Sequence, residues 1–387
     1  MRRTITILLC TLACLAFCGT ALAGTPFLVG AAEDGAKQLD PAMAKAKMDL
    51  AALAGFDAIR LTAQWQLGER EIGDYDRITL GNAAVAAAAD GIRLIVAIYP
   101  SGSSQTPLSD RDRSDFAAYA SSVAEALPTV QDFVIGNEPN LNRFWLPQFT
   151  RRGTDYAASA YELLLAKTYD ALKDVSADVR VIGGAVSARG SDDPRGLRPT
   201  HSPVQFLLDL GVAYRRTGRA RPIMDALVLH PYLDSSRQSP TFRHPHSTTI
   251  GIADYAKLES VLRTAFDGTA QPGSTLPILY GEFGVQTRIG VARLAAYTAM
   301  RKGMSKVTQH PDAVPEAIQA QTYREALELA SCQRNVLGLL FLHVSDERSL
   351  AAWQSGVYYA DDAPKSSLPA IRNAALAARA DLLTSCR

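Results

Sequence analysis

The chain has 387 residues, of which 47% are hydrophobic and 20% are charged. This balance is typical of a globular protein with a buried core and excludes a disordered or fibrous chain. The formal net charge is +1, so no excess charge favours nucleic acid or an anionic membrane surface as a partner.

The first 23 residues have the pattern of a secretory signal peptide. Arg2 and Arg3 form a basic start, residues 5–17 are mostly apolar, and Ala21-Leu22-Ala23 is a small-x-small cleavage site. We therefore expect a secreted, periplasmic or cell-surface protein whose mature part is residues 24–387, with no membrane attachment after cleavage. An uncleaved N-terminal anchor helix is the alternative, and a lipid-modified Cys18 is a weaker one.

Short β-branched runs alternate with Ala- and Leu-rich helical stretches along the rest of the chain. The pattern predicts eight strands, at 27–31, 58–62, 93–98, 132–136, 179–185, 226–230, 278–281 and 337–343. It predicts helices near 41–54, 80–89, 113–127, 156–175, 203–216, 253–266, 316–331 and 367–383.

This alternation predicts an α/β protein with a parallel sheet and crossover helices. Residues 94–98 and 226–229 are continuous apolar runs, as expected for strands buried on both faces. Eight such units favour a single-domain (β/α)8 TIM barrel. An open, doubly wound sheet is the alternative. Its first strand would usually lead into a glycine-rich phosphate turn, which Gly-Ala-Ala-Glu at 30–33 is not.

Long connections follow strands four to eight, at 140–155, 187–202, 233–252, 283–315 and 344–364. The turns from helix to strand are short by comparison. In a (β/α)8 barrel, the loops after the strands form the C-terminal face, where active sites are built.

Two glutamates end buried strands on this face. Strand four runs into Asn137-Glu138-Pro139, and strand seven ends at Gly281-Glu282. Pro139 is expected to end strand pairing and to hold Glu138 in an extended conformation. Strands four and seven lie across the barrel from each other, so both carboxyl groups can face one substrate. Glycoside cleavage needs such a pair, with one carboxyl group protonated and one ionised.

The chain resembles the retaining glycoside hydrolases of clan A, whose barrels carry the acid/base and the nucleophile at the ends of strands four and seven. The matching segments are Asn137-Glu138-Pro139 and Tyr280-Gly281-Glu282-Phe283-Gly284. The resemblance implies that Glu138 is the general acid/base and Glu282 the nucleophile. It also implies a carbohydrate substrate with a β-type linkage, and no cofactor or metal.

Four further residues acquire roles from this resemblance. Arg60 on strand two is expected to keep the nucleophile ionised, although another ion pair in the core is the alternative. His230 and Tyr232 follow strand six, and the Tyr232 hydroxyl is expected to bind the nucleophile. Asn137 is expected to contact the 2-hydroxyl of the sugar.

Aromatic and histidine side chains are candidates for sugar contacts. Trp65, Trp145 and Trp353 all fall in segments predicted to lie on the C-terminal face, where an indole ring can stack on a sugar. The chain departs from many clan members at two places. Tyr99 follows strand three where a histidine is common, and strand eight ends at His343 without the usual tryptophan.

Two other classes of protein remain open. A metal-dependent barrel hydrolase usually carries a His-x-His pair at the end of strand one. Strand one has no histidine, and His244-Pro245-His246 lies in a loop. A non-catalytic carbohydrate-binding barrel is the second alternative, although such a protein could lose either glutamate.

A disulfide between Cys332 and Cys386 is the first testable prediction. Signal cleavage removes Cys10, Cys14 and Cys18, so only these two cysteines stay in the exported chain. Both are predicted to end neighbouring helices on the N-terminal face. The bond would close a loop of about 55 residues and stabilise the fold by roughly 4 kcal/mol. Titration of the denatured, oxidised protein should find no free thiol, and two free thiols would contradict the bond.

Overall fold

The fold is a closed barrel of eight parallel strands in a computed structural model that describes residues 27–297 and 309–383. The strands pair in chain order, and β1 also pairs with β8. The prediction of a (β/α)8 barrel is therefore confirmed. The strands are β1 (Leu28–Ala32), β2 (Ala58–Trp65), β3 (Arg93–Pro100), β4 (Asp132–Ile135), β5 (Arg180–Ser187), β6 (Ala226–His230), β7 (Ile278–Phe283) and β8 (Val336–Leu342).

Each strand is followed by a helix on the outside of the barrel. The helices are α1 (Pro41–Leu53), α2 (Asp74–Asp90), α3 (Asp110–Ala126), α4 (Ala157–Val175), α5 (Pro203–Thr217), α6 (Tyr255–Phe266), α7 (Glu316–Ser331) and α8 (Leu368–Arg379). Local chemistry sets several of the boundaries. Ser109 and Asp112 form a capping box at the start of α3, and Pro203 occupies the first turn of α5.

Helix α2 begins six residues before the predicted start at residue 80. Its first turn carries Asp74 and Asp76, whose charges favour a helix N-terminus, whereas the apolar pattern begins only at Leu80. The helix ends at Gly91, which adopts the left-handed conformation at φ 64°.

Two apolar layers form the core. Small and β-branched side chains such as Ala58, Ala97 and Val228 fill the inside of the barrel. A larger layer lies between the strands and the helices, where Phe116, Tyr161 and other large side chains are fully buried. Because apolar side chains fill the inside of the barrel, polar side chains that could act on a ligand lie at the strand ends, at the mouth of the barrel.

Several sequence predictions concern residues outside the described ranges. The signal peptide at 1–23 and Cys386 belong to these, so secretion and the disulfide stay predictions. Cys332 is the C-cap residue of α7. No helix in the described part of the chain has the length and apolar character to span a membrane.

A fully buried ion pair within the loop after β8 is hydrogen-bonded to the loop after β7. Lys365 Nζ lies 2.7 Å from Asp346 Oδ1, and neither side chain is exposed to solvent. Lys365 also donates to Thr287 Oγ1, and Asp346 accepts a hydrogen bond from the Tyr297 hydroxyl. Every charge is thus compensated, as burial requires.

Removing one partner of this pair should destabilise the protein strongly. Lys365→Met leaves Asp346 buried without its cation, and we expect the free energy of unfolding to fall by about 3–5 kcal/mol. Lys167→Met is the matched control because its partner Asp110 is exposed, and its cost should stay below about 1 kcal/mol. Equal losses in urea unfolding would contradict the structural role of the buried pair.

Candidate active site

Glu138 and Glu282 lie together at the C-terminal mouth of the barrel. Glu282 is the fifth residue of β7, and Glu138 comes three residues after the end of β4. His230, the last residue of β6, lies between them. Its Nδ1 is 3.3 Å from Glu138 Oε1 and 3.7 Å from Glu282 Oε2. These two carboxyl oxygens are therefore within about 7 Å of each other.

Glu282 is held by one donor from strand β2 and one from the segment just after β6. Arg60 Nη2 donates to its Oε1, and the Tyr232 hydroxyl donates to its Oε2 at 2.8 Å. Burial by itself would raise the pKa of Glu282. The electrostatic interactions with His230 and with the Arg60 guanidinium, and the hydrogen bonds from Tyr232 and Arg60, outweigh it and lower this pKa to about 2. Glu282 is consequently a carboxylate at neutral pH.

The two main donors are themselves fixed by burial. Arg60 is 6% exposed, and its Nη1 lies 3.1 Å from His230 Nε2. Burial, followed by the charge of Glu282, raises the pKa of Tyr232 well above its ordinary value. Tyr232 therefore keeps its proton and remains a hydrogen-bond donor. The predicted contacts of Arg60 and Tyr232 with Glu282 are present.

The backbone around Glu138 differs from the prediction. Pro139 was expected to hold Glu138 extended, but Glu138 has φ 42°, in the left-handed region. Its amide donates to Ala185 O on β5 at 2.8 Å. Gly136, at φ 94°, lets the chain turn beside Tyr161, whose ring lies 2.9 Å from where a Cβ would sit. The contact with β5 and this tight turn override the preference imposed by proline.

A cavity of about 620 Å³ opens beside Glu282. It is lined by residues of β1, β2, β3, β7 and β8 and of the segments that follow them, including Arg60, Tyr99 and His343. Most of its walls are polar. The Tyr99 hydroxyl lies 3.4 Å from Thr62 Oγ1. The cavity can thus surround a polar ligand whose reactive atom meets Glu282.

The prediction of three tryptophan platforms is wrong for two of the three. Trp65 is fully buried against Phe116, and Trp145 is 1% exposed against Tyr161. Neither ring can stack on a ligand because each is part of the core. Trp353 is only partly buried, and its ring centroid lies 5.3 Å from that of Tyr232.

Glu33 plays a part that the sequence did not indicate. Its Oε2 accepts from the backbone amides of Val344 and Ser345 at 3.2 and 3.3 Å, and its Oε1 accepts from Gly35. It thereby fixes the turn after His343, which has φ 70°. The sequence shows an exposed acid after β1 but not the amides that it binds.

His343 and Asn137 border the site. His343 lines the cavity with its Nε2 3.5 Å from Glu347 Oε1, and its Nδ1 is buried without a hydrogen-bond partner among the described residues. Asn137 is half-buried beside Glu138. Their predicted sugar contacts stay predictions.

One cluster of metal-ligating side chains occurs among the described residues, away from the two glutamates. Donor atoms of Asp155, His201 and Asp209 lie within 4.8 Å of one another. Asp155 also accepts from the amides of Ala158 and Ser159 at the start of α4. The cluster shares no residue with the site around Glu282.

The chain matches no protein-family model and no curated protein. Solved structures do match. A family 39 glycoside hydrolase from Bacteroides cellulosilyticus has a TM-score of 0.63 and 18% identity, covering 91% of this chain and 64% of that one. A family 5, subfamily 18 protein from Streptomyces cattleya, in complex with Manβ1-4GlcNAc, has a TM-score of 0.59 and 14% identity, covering 91% and 80%.

A monomeric β-xylosidase from Caulobacter crescentus has a TM-score of 0.54 and 18% identity, covering 90% of this chain and 67% of that one. The chain thus spans less than two thirds of the family 39 enzyme from Bacteroides. At these identities the likeness establishes a shared fold. The expected resemblance to clan A glycoside hydrolases is therefore confirmed as a resemblance in fold.

Removal of the Tyr232 hydroxyl should make Glu282 easier to protonate. A hydrogen bond to a charged group is worth about 1.5–3 kcal/mol, so Tyr232→Phe should raise the pKa of Glu282 by about 1 or more. Carbon-13 NMR titration of labelled glutamate carboxyl groups can follow this, with Glu282→Gln identifying the signal. Tyr280→Phe is the control, because that buried hydroxyl binds Gln333 instead. An unchanged titration in Tyr232→Phe would contradict the hydrogen bond.

Proposed function

We propose that the protein is an exported retaining glycoside hydrolase that cleaves a β-type linkage, with Glu138 as acid/base and Glu282 as nucleophile. The observation that carries the proposal is the ionised Glu282, held by Arg60 and Tyr232 and joined to Glu138 through His230. The fold shared with glycoside hydrolases supports it. Glycoside cleavage requires two carboxyl groups at about this spacing.

In the first step, the glycosidic oxygen takes the proton of Glu138 while the bond from this oxygen to the anomeric carbon breaks. A Glu282 oxygen attacks the same carbon from the opposite face and forms a glycosyl ester. The aglycon leaves as an alcohol. Arg60 and Tyr232 keep Glu282 oriented and ionised for the attack, so it enters the step as an anion.

In the second step, Glu138 is a carboxylate and takes a proton from water. The water oxygen attacks the anomeric carbon, and the bond to Glu282 breaks with its electron pair returning to the carboxylate. Glu138 regains its proton and Glu282 its charge. Two inversions at one carbon leave the released sugar with its original anomeric configuration.

The cavity favours an enzyme that acts on chain ends or short glycosides. About 620 Å³ beside Glu282 can receive the glycon, and the segments after β1 and β8 form its walls. Partly buried Trp353 beside Tyr232, with Asn137, Tyr99 and His343, supplies side chains for sugar contacts. Release of monosaccharide from the non-reducing end would support this mode of action.

Substitution of the two glutamates tests their separate roles. Glu282→Ala should abolish hydrolysis of a good aryl β-glycoside, with partial rescue by azide filling the space of the carboxylate. Glu138→Ala should slow substrates with poor leaving groups far more than activated aryl glycosides, because acid assistance matters less for the latter. Glu125→Ala, which removes an exposed carboxylate near the end of α3 and outside the cavity, is the control that should keep both behaviours.

Near wild-type rates in both glutamate variants would refute the assignment of the site. Proton NMR of the first product reads the stereochemistry directly, and an inverted product would refute the two-step mechanism. Binding of sugars without turnover of any glycoside would instead support a non-catalytic carbohydrate-binding barrel.

A further inference from the structure

Four exposed arginines lie on two touching turns at the mouth of the barrel. Arg151 and Arg152 belong to the loop after β4, and Arg195 and Arg198 to the loop after β5. The turns meet at Gly153, where an added methyl group would come within 3.3 Å of the Pro194 ring. We call Arg151, Arg152, Arg195 and Arg198 the arginine rim.

The arginine rim has no acidic partner in the described part of the chain, since no ion pair joins its side chains to a carboxylate. The carboxylates of neighbouring aspartates accept hydrogen bonds from backbone amides instead. Asp192 Oδ1 accepts from Ser202 N at 2.6 Å, and Asp193 Oδ1 accepts from Arg195 N at 2.9 Å. Asp155, Asp192 and Asp193 lie on the same two turns, so the rim is distinguished by four guanidinium groups without a carboxylate partner among the described residues, and each of these groups can bind an anion.

The positions of Glu138 and Glu282 determine which part of the substrate lies beside the arginine rim. The cavity next to Glu282 is lined from the side of β1, β2, β3, β7 and β8. A sugar whose anomeric carbon meets Glu282 fills that cavity. Its glycosidic oxygen must reach Glu138, which follows β4. The group beyond this oxygen therefore lies on the side of the loops that carry the rim.

We infer that the substrate is a glycoside whose aglycon is anionic, bearing carboxylate, sulfate or phosphate groups. This rests on the proposed function, because that function assigns glycon and aglycon to their sides. Guanidinium groups match the oxygens of these anions with paired hydrogen bonds. The cavity that would hold the glycon mixes acidic side chains such as Asp34 and Glu347 with basic ones such as Lys47 and Arg348, so the selection by charge falls on the aglycon.

The test compares two substrates that differ only in charge. One has a glucuronate-containing trisaccharide as its aglycon, and the other has the same trisaccharide with the carboxyl group reduced to an alcohol. Wild-type protein should show a KM roughly five- to tenfold lower for the charged substrate, since each exposed ion pair contributes little by itself. The difference should shrink at 0.5 M salt because exposed charges are screened. Sulfated and phosphorylated trisaccharides then distinguish the anions.

The fourfold variant Arg151→Gln, Arg152→Gln, Arg195→Gln, Arg198→Gln should remove this preference and leave the neutral substrate unaffected. A matched fourfold variant removes the same charge from exposed arginines on and after the outer helices. It consists of Arg216→Gln, Arg263→Gln, Arg324→Gln and Arg334→Gln. This control should keep the preference.

Equal KM values for the two substrates would overturn the inference, and so would an equal loss of the preference in both fourfold variants. Hydrolysis of the neutral substrate would in either case leave the proposed function intact. Binding of anionic vesicles that depends on the arginine rim, with no change in KM, would also overturn the inference. The arginines would then bind a membrane surface and not the substrate. Failure of wild-type protein to hydrolyse any glycoside would refute the proposed function itself.

Discussion

A buried carboxylate that must remain ionised is the constraint on which the site depends. Glu282 loses its hydration on entering the barrel mouth, and this loss opposes its negative charge. Arg60 from β2, His230 from the end of β6 and Tyr232 two residues later compensate for it. These groups come from elements on different sides of the barrel. Only the closed sheet brings them to one carboxylate, so the fold and the charge state of Glu282 are inseparable.

The same principle governs the walls around the site. Several polar groups at the mouth are held by a fixed partner. Glu33 binds two amides after β8, and the buried pair of Asp346 and Lys365 in the loop after β8 is hydrogen-bonded to Thr287 and Tyr297 of the loop after β7. His343 can adopt its left-handed backbone because Glu33 holds the two residues that follow it. Long loops thus acquire a defined shape from these polar contacts together with a small apolar cluster of their own, formed by Ile289, Tyr297, Leu350 and Ala360.

Charge is distributed unevenly around the mouth, although the whole chain is nearly neutral. Acidic and basic side chains, among them Asp34, Glu347, Lys47 and Arg348, together line the cavity beside Glu282, whereas Arg151, Arg152, Arg195 and Arg198 stand on the loops after β4 and β5. Glu138 lies at the boundary between these halves. A ligand that crosses the mouth therefore meets mixed charges on one side of Glu138 and four exposed guanidinium groups on the other.

The sequence by itself determined the eight strand–helix units and the position of both glutamates. These depend on local patterns, since apolar runs, capping residues and strand ends act over a few neighbouring residues. The contacts of Arg60 and Tyr232 followed from family resemblance. Tertiary structure alone decided which tryptophans are part of the core, because a buried Trp65 and a half-buried Trp353 look alike in sequence. It also decided the role of Glu33, whose amide partner Val344 is 311 residues away, and the left-handed backbone of Glu138, which a contact with β5 imposes against the preference before proline.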